Sequence, residues 1–167
     1  MYKTLLLLAA IALLTGAVLG QRATATPGAD GTLQRGRYLV TIGGCNDCHT
    51  AGFAPSGGKV AQSQWLLGDT LGWNGPWGTT YAPNLRLQLA GMDAPSFRVY
   101  ARALKARPPM PYWALNAMSD DDLDALLAYV QSLGPAGAPA PVALAPGVAP
   151  QGPVVRFPAP LPEGAMR

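Results

Sequence analysis

Apolar residues fall into an ordered pattern in four stretches of the chain. Leu5 to Leu19 is an apolar run with no charged residue. Between Leu33 and Ile42, positions Leu33, Gly36 and Val40 share one helical face, and Tyr38, Leu39 and Ile42 fill the adjacent one. That spacing predicts a helix with Asp30 or Thr32 as its N-cap. Gly43-Gly44 ends it. From Ser96 to Ala106, residues Phe97, Tyr100, Ala101 and Leu104 repeat at i, i+3, i+4 and i+7, so a second helix is predicted with Ser96 as its cap. The clearest pattern opens at Ser119. Leu123, Leu126, Leu127 and Val130 form the buried stripe, Asp120, Asp121 and Asp122 occupy the first turn, and Gly134-Pro135 stops the helix. Ser119 with Asp122 resembles a capping box with Asp in place of Glu.

The remaining stretches lack periodicity. Thr50 to about Ala90 is punctuated by Gly and Pro, which marks turns and loops. A loop of that length needs something to pack on. Pro108-Pro109-Met110-Pro111 reads as extended, because each proline biases its predecessor away from helix. Residues 135–167 hold 9 of the 17 prolines, a composition that favours extended chain over a second core. Either a flexible tail or a strap over the domain fits it. Gly36 has two readings, a close helix–helix approach or a tolerated glycine near a helix start.

The amino terminus reads as a targeting segment. Met1-Tyr2-Lys3 supplies a charged start and Leu5–Leu19 the apolar centre of a secretory signal. The run is shorter than the ~20 residues that span a bilayer comfortably. Ala23-Thr24-Ala25 offers a small-x-small cleavage site, and Val18-Leu19-Gly20 a second. Residues 1–25 are therefore expected to be a signal peptide, or else an uncleaved anchor, with residues 26–134 as one domain and 135–167 as a Pro/Ala-rich tail. Net charge adds little. Without residues 1–25 the chain loses Lys3 and Arg22, leaving 10 basic and 9 acidic groups. A clustered basic face for nucleic acid is missing from the sequence. Arg98, Arg102 and Lys105 lie mostly opposite the Phe97 stripe, with Arg107 just beyond. They read as a solvated face or a weak docking surface for an acidic partner.

The chemistry centres on Cys45-Asn46-Asp47-Cys48-His49. These are the chain's only two cysteines and its only histidine. Cys-x-x-Cys-His is the attachment pattern of a c-type haem: two thiols form thioethers with the porphyrin, and the histidine becomes proximal iron ligand. Three other readings compete. A structural zinc site is one ligand short. A thioredoxin-like dithiol lacks the strand that should precede it. A plain disulfide leaves His49 unexplained. A haem would also give the long loop its core, with Trp65, Trp73 and Trp77 as wall material.

With no second histidine, bis-His ligation within the chain is impossible. Haem electron carriers commonly pair His with Met, which raises the reduction potential. Among Met1, Met92, Met110, Met118 and Met166, Met110 stands on a stiff proline-rich segment and is the expected sixth ligand. Met118 follows; it has the position of an apolar residue packing into the start of the next helix.

Together these residues resemble the class I cytochromes c over roughly Asp30 to Gly134. The resemblance rests on a helix leading into Cys45-x-x-Cys48-His49, a loop, Met110-Pro111, and a last helix containing Ala128-Tyr129-Val130. Within that family the chain resembles bacterial cytochrome subunits and domains associated with periplasmic dehydrogenases. The resemblance implies an all-α, cytochrome c-like fold of orthogonal helices around a covalently bound haem, with long loops. It also implies a Pro83 carbonyl accepting from His49 Nδ1, with Pro76 as the other candidate, and a first–last helix crossing shared by Gly36 and Tyr129.

The function expected is single-electron transfer by a periplasmic monohaem cytochrome c rather than substrate chemistry. Its partners would be a dehydrogenase donor and an oxidase or another cytochrome as acceptor. Membrane association would require an uncleaved amino-terminal segment. Catalysis or gas binding at a labile sixth position is the alternative, and a structural subunit docked through its tail is a third.

Overall fold

The protein is described by a computed structural model over residues 28–158. The targeting segment, Met1 and Met166 lie outside those residues.

Two crossing helices make the frame. Helix α1 (Ala29–Ile42) buries Gly36, Leu39 and Val40. It starts four residues before Leu33 because its first turn is polar and leaves no apolar mark. Gly28 takes the N-cap position without a side-chain bond, so neither Asp30 nor Thr32 caps the helix. Asp30 sits in the first turn, where its charge faces the helix dipole. The last helix, α6 (Asp120–Ser132), buries Leu123, Leu126, Leu127 and Val130 as expected, together with Ala125 and Tyr129. Ser119 Oγ accepts from the Asp122 N–H at 3.2 Å. Where α1 crosses α6, a Cβ at Gly36 would overlap the Ala125 carbonyl and the Tyr129 Cβ. The glycine is there for close approach.

Between them, α2 (Cys45–His49) follows Gly44, whose φ of +65° turns the chain away from α1. Helix α3 (Leu85–Gln88) is capped by Asn84, whose side chain accepts from the Leu87 N–H at 3.1 Å. Helix α4 (Ala94–Ala103) is shifted from the predicted Ser96–Ala106. Its cap is Asp93, which accepts from the Ser96 N–H at 2.8 Å. A carboxylate three residues earlier outcompetes the Ser96 hydroxyl, and Pro95 fits the first turn. Leu104 is already extended. Arg98 and Arg102 do not form a freely solvated face: Arg98 pairs with Asp124 at 3.2 Å and with Asp120 at 3.4 Å, and Arg102 pairs with Asp120. A short helix, α5 (Tyr112–Asn116), begins immediately after Pro111 and was not predicted.

The all-α expectation holds for this frame, with a small sheet added. Strands β1 (Gly72–Gly75) and β2 (Gly78–Tyr81) form an antiparallel hairpin through Pro76-Trp77. Strand β3 (Val154–Arg156) adds in parallel to β1, giving the order β2-β1-β3. Residues 135–158 therefore take the strap form. Asn84 Nδ2 donates to the carbonyls of Ala136 (2.8 Å) and Ala138 (3.2 Å). Leu144 exchanges backbone hydrogen bonds with Thr79 at 3.1 and 2.8 Å. Phe157 then packs on Trp77 and Trp73, with ring centroids 5.2 and 6.1 Å apart.

The core runs from Val40 through Phe97 and Ala101 to Leu123, Leu126 and Val130, and extends to Trp65 and Leu66 in the long loop. Arg86 closes its far end. Its guanidinium is buried and donates to the Leu133, Gly134 and Ser63 carbonyls, satisfying groups that the end of α6 leaves free.

Candidate functional site

An apolar cavity of about 270 Å³ lies between the loop and the helices. Cys45, Cys48 and His49 line it, as do Pro83, Met110 and Met118. Of the long loop, only the part from Trp73 to Leu89 lines this space; the earlier part packs on the helical core through Trp65 and Leu66.

His49 is fixed from two directions. Its ring Nδ1 lies 2.8 Å from the Pro83 carbonyl, the contact implied for Pro83 rather than Pro76. Its own carbonyl accepts from the Gly68 N–H at 2.8 Å. With Nδ1 donating, Nε2 keeps its lone pair for a metal. Gly68 has φ +82°, and a Cβ there would come within 2.8 Å of the Asn84 nitrogen and 2.9 Å of the Ala82 carbonyl. Only glycine lets the two backbone segments holding His49 come together. Thr50 locks the next residue: its buried hydroxyl donates to Asn46 Oδ1 at 2.7 Å and accepts from the Leu66 N–H at 2.8 Å.

Burial pushes the His49 imidazole below its ordinary pKa, partly offset by the Pro83 hydrogen bond. The ring is therefore neutral, the form that binds metal. Burial pushes the Cys45 thiol up to about 11, and it also raises Cys48, with the nearby Asp47 charge adding to it. A redox dithiol needs the opposite shift. Among the described residues no group of three or more His, Cys, Asp or Glu is placed to hold a metal, so none of them completes a four-ligand zinc site. Cys45 and Cys48 form no disulfide with each other. Both open onto an apolar space beside a neutral imidazole, a donor set that suits a covalently held haem.

Of the four tryptophans, only Trp73 lines the cavity. Trp65 is a core residue whose indole donates to the Val60 carbonyl at 2.9 Å. Trp77 packs against the tail instead, and Trp113 is exposed. Of the three methionines among the described residues, Met110 and Met118 line the cavity, while Met92 packs against the core.

The cytochrome c family model matches residues 33–134, from α1 to the end of α6. This chain belongs to the cytochrome c family. Among curated relatives, the cytochrome is 33% identical over 151 residues to a nicotinate dehydrogenase subunit of Pseudomonas putida, covering 75% of this chain and 12% of that one. It is 32% identical over 134 residues to the cytochrome c subunit of a quinone alcohol dehydrogenase from Gluconacetobacter polyoxogenes, covering 72% and 25%. It is 28% identical over 121 residues to the fructose dehydrogenase cytochrome subunit of Gluconobacter japonicus, covering 66% and 23%. The cytochrome thus spans a quarter or less of the length of these relatives. No solved structure matches it.

Sequence reasoning missed three residues that build the site: Gly68, Thr50 and Asn84. Gly68 reads only as turn punctuation. Thr50, next to His49, had no signal beyond its position. Asn84 has no sequence signal for its role in capping α3 and holding the tail.

Proposed function

We propose that the protein is a monohaem cytochrome c that carries single electrons in the periplasm. Cys45 and Cys48 would hold one haem c through two thioethers, with His49 and Met110 as iron ligands and the Pro83 carbonyl orienting the His49 ring. The haem supplies a ferric/ferrous couple. The chain's residues keep that couple inside an apolar space, limit water, and hold both ligands through the change of charge. One observation carries the reading: His49, its Nδ1 held by the Pro83 carbonyl, and Met110 line the same apolar cavity. A sixth ligand that stays bound leaves no position for substrate, so the role is transfer rather than catalysis.

The relatives named as cytochrome subunits of alcohol and fructose dehydrogenases support a place in such an assembly. Its electron donor would be a dehydrogenase and its acceptor an oxidase or another cytochrome. The apolar run Leu5–Leu19 behind Lys3 supports export.

The test is spectroscopic and uses the haem-loaded protein. Wild type should show the Met-to-iron charge-transfer band and, when reduced, bind carbon monoxide only slowly. Met110→Ala should lose the band, lower the potential and bind carbon monoxide, whereas Met118→Ala should keep the band. Loss of the band in Met118→Ala alone would transfer the role to Met118. Rapid carbon monoxide binding by wild type would favour a labile site for gas binding or catalysis.

A further inference from the structure

The segment that carries Met110 is tied down at its base by a junction of three parts of the chain. Arg107 Nη1 donates to the Trp77 carbonyl in the hairpin turn at 3.2 Å and to the Leu144 carbonyl in the tail at 3.3 Å. One residue on, the Pro108 carbonyl accepts from Thr80 Oγ1 at 2.8 Å. Leu144 is itself held by two backbone hydrogen bonds to Thr79, at 3.1 and 2.8 Å. Gly78 lies so close to the Leu144 carbonyl that any Cβ there would collide with it. Hairpin, tail and ligand segment therefore meet around one guanidinium. Arg107 and Thr80 also line the haem cavity.

The stretch from Arg107 to Met110 is stiff, because Pro108, Pro109 and Pro111 restrict it. A position imposed at Arg107 and Pro108 is passed on to Met110. On its other side, the Met110 carbonyl accepts from the Tyr112 N–H at 2.9 Å, and Asn116 Nδ2 in α5 donates to the Ala101 and Leu104 carbonyls. The α5 side is anchored to the helical frame, while Arg107 and Pro108 themselves are held by the hairpin and the tail.

We propose that the tail, acting through Leu144 and Arg107, clamps the Met110 segment and so sets how readily an outside ligand displaces the methionine sulfur. Arg107 is then a positioning residue, and residues 135–158 are part of the ligand-holding apparatus. The inference rests on Met110 being the sixth ligand.

The test compares carbon monoxide binding by the reduced, haem-loaded protein in Arg107→Ala, Arg107→Lys, Thr80→Val and Leu144→Pro. Leu144→Pro removes the N–H that donates to Thr79. Arg107→Ala and Leu144→Pro should each speed binding by roughly fivefold, the effect of losing about one net hydrogen bond. Their combination should add little to the larger single effect, because both act on one junction. Thr80→Val should move in the same direction, and Arg107→Lys should restore part of the hold. Arg98→Ala serves as the control: it breaks ion pairs to α6 and should lower the unfolding midpoint without changing the binding rate. The proposal fails if Arg107→Ala and Thr80→Val bind carbon monoxide no faster than wild type, or if Arg98→Ala speeds it equally. A charge-transfer band that survives in Met110→Ala would sink the ligand assignment itself. Should Leu144→Pro not fold, the Arg107 and Thr80 variants decide.

Discussion

Gly36 and Tyr129 touch across the α1–α6 crossing, with the place a Gly36 Cβ would occupy 2.5 Å from the Tyr129 Cβ. The obstacle is partly backbone, the Ala125 carbonyl, so no rotamer change relieves it. Gly36→Ala is expected to destabilise the holoprotein by about 2–3 kcal/mol, despite alanine's better helix propensity. Thermal unfolding checks this, and an unchanged midpoint would refute the close packing.

Arg86 is the most buried cation described, and its three acceptors are backbone carbonyls. Arg86→Ala leaves them without their donor and is expected to cost about 3 kcal/mol. Arg86→Lys should recover only part, since an ammonium lacks the planar fork that reaches Leu133, Gly134 and Ser63 together. Urea unfolding of the three proteins measures the difference.

Asn84 caps α3 and holds the tail at Ala136 and Ala138. Asn84→Ala is expected to cost about 2 kcal/mol. It should also speed hydrogen exchange at the Leu144 amide, because the tail loses its first anchor. Exchange as slow as in wild type would show that the tail is held without Asn84.

Acid should loosen the helix frame. The hydrogen bond from Arg35 holds the Asp122 carboxyl below its ordinary value of 3.8, and Arg102, followed by Arg98, does the same for Asp120. A folded pKa below the unfolded one means the carboxylate stabilises the fold above about pH 4. That contribution is lost as pH falls through the lowered folded value. Asp120 is exposed and Asp122 partly so, so the effect is small and shrinks with salt. The urea midpoint of wild type should fall below pH 4, and Asp122→Asn should show a shallower fall over the same window.

What could be read from the sequence was the part with local cause. Cys45–His49 is contiguous, and α6 combines a cap, three acids and a regular stripe, so both declare themselves. The first turn of α1 is polar and does not. Asp93 with Pro95 was available as a cap signal for α4, but the apolar pattern drew the start to Ser96. Strand β1 is only Gly72-Trp73-Asn74-Gly75, too short to alternate, and its parallel partner is near the other end of the chain. Nothing beside Arg86, between Leu85 and Leu87, marks it as buried, because its burial depends on where α6 ends. The Pro83 contact came from resemblance, since no spacing rule separates Pro83 from Pro76.

The parallel pairing of β1 with β3 has a consequence for the order in which the molecule is assembled. Asn74 and Arg156, joined across that pairing, are 82 residues apart in the chain. Closing so long a span restricts much chain for few contacts, and such contacts form late in folding. The α1–α6 crossing closes as long a span, 87 residues between Arg35 and Asp122, but it buries Leu39, Val40, Leu126 and Val130 in return, so it does not wait for the strand. Trp73, which lines the haem cavity on one side and meets Phe157 on the other, therefore gains its outer support last. Until the carboxy-terminal strand arrives, that wall is open from behind.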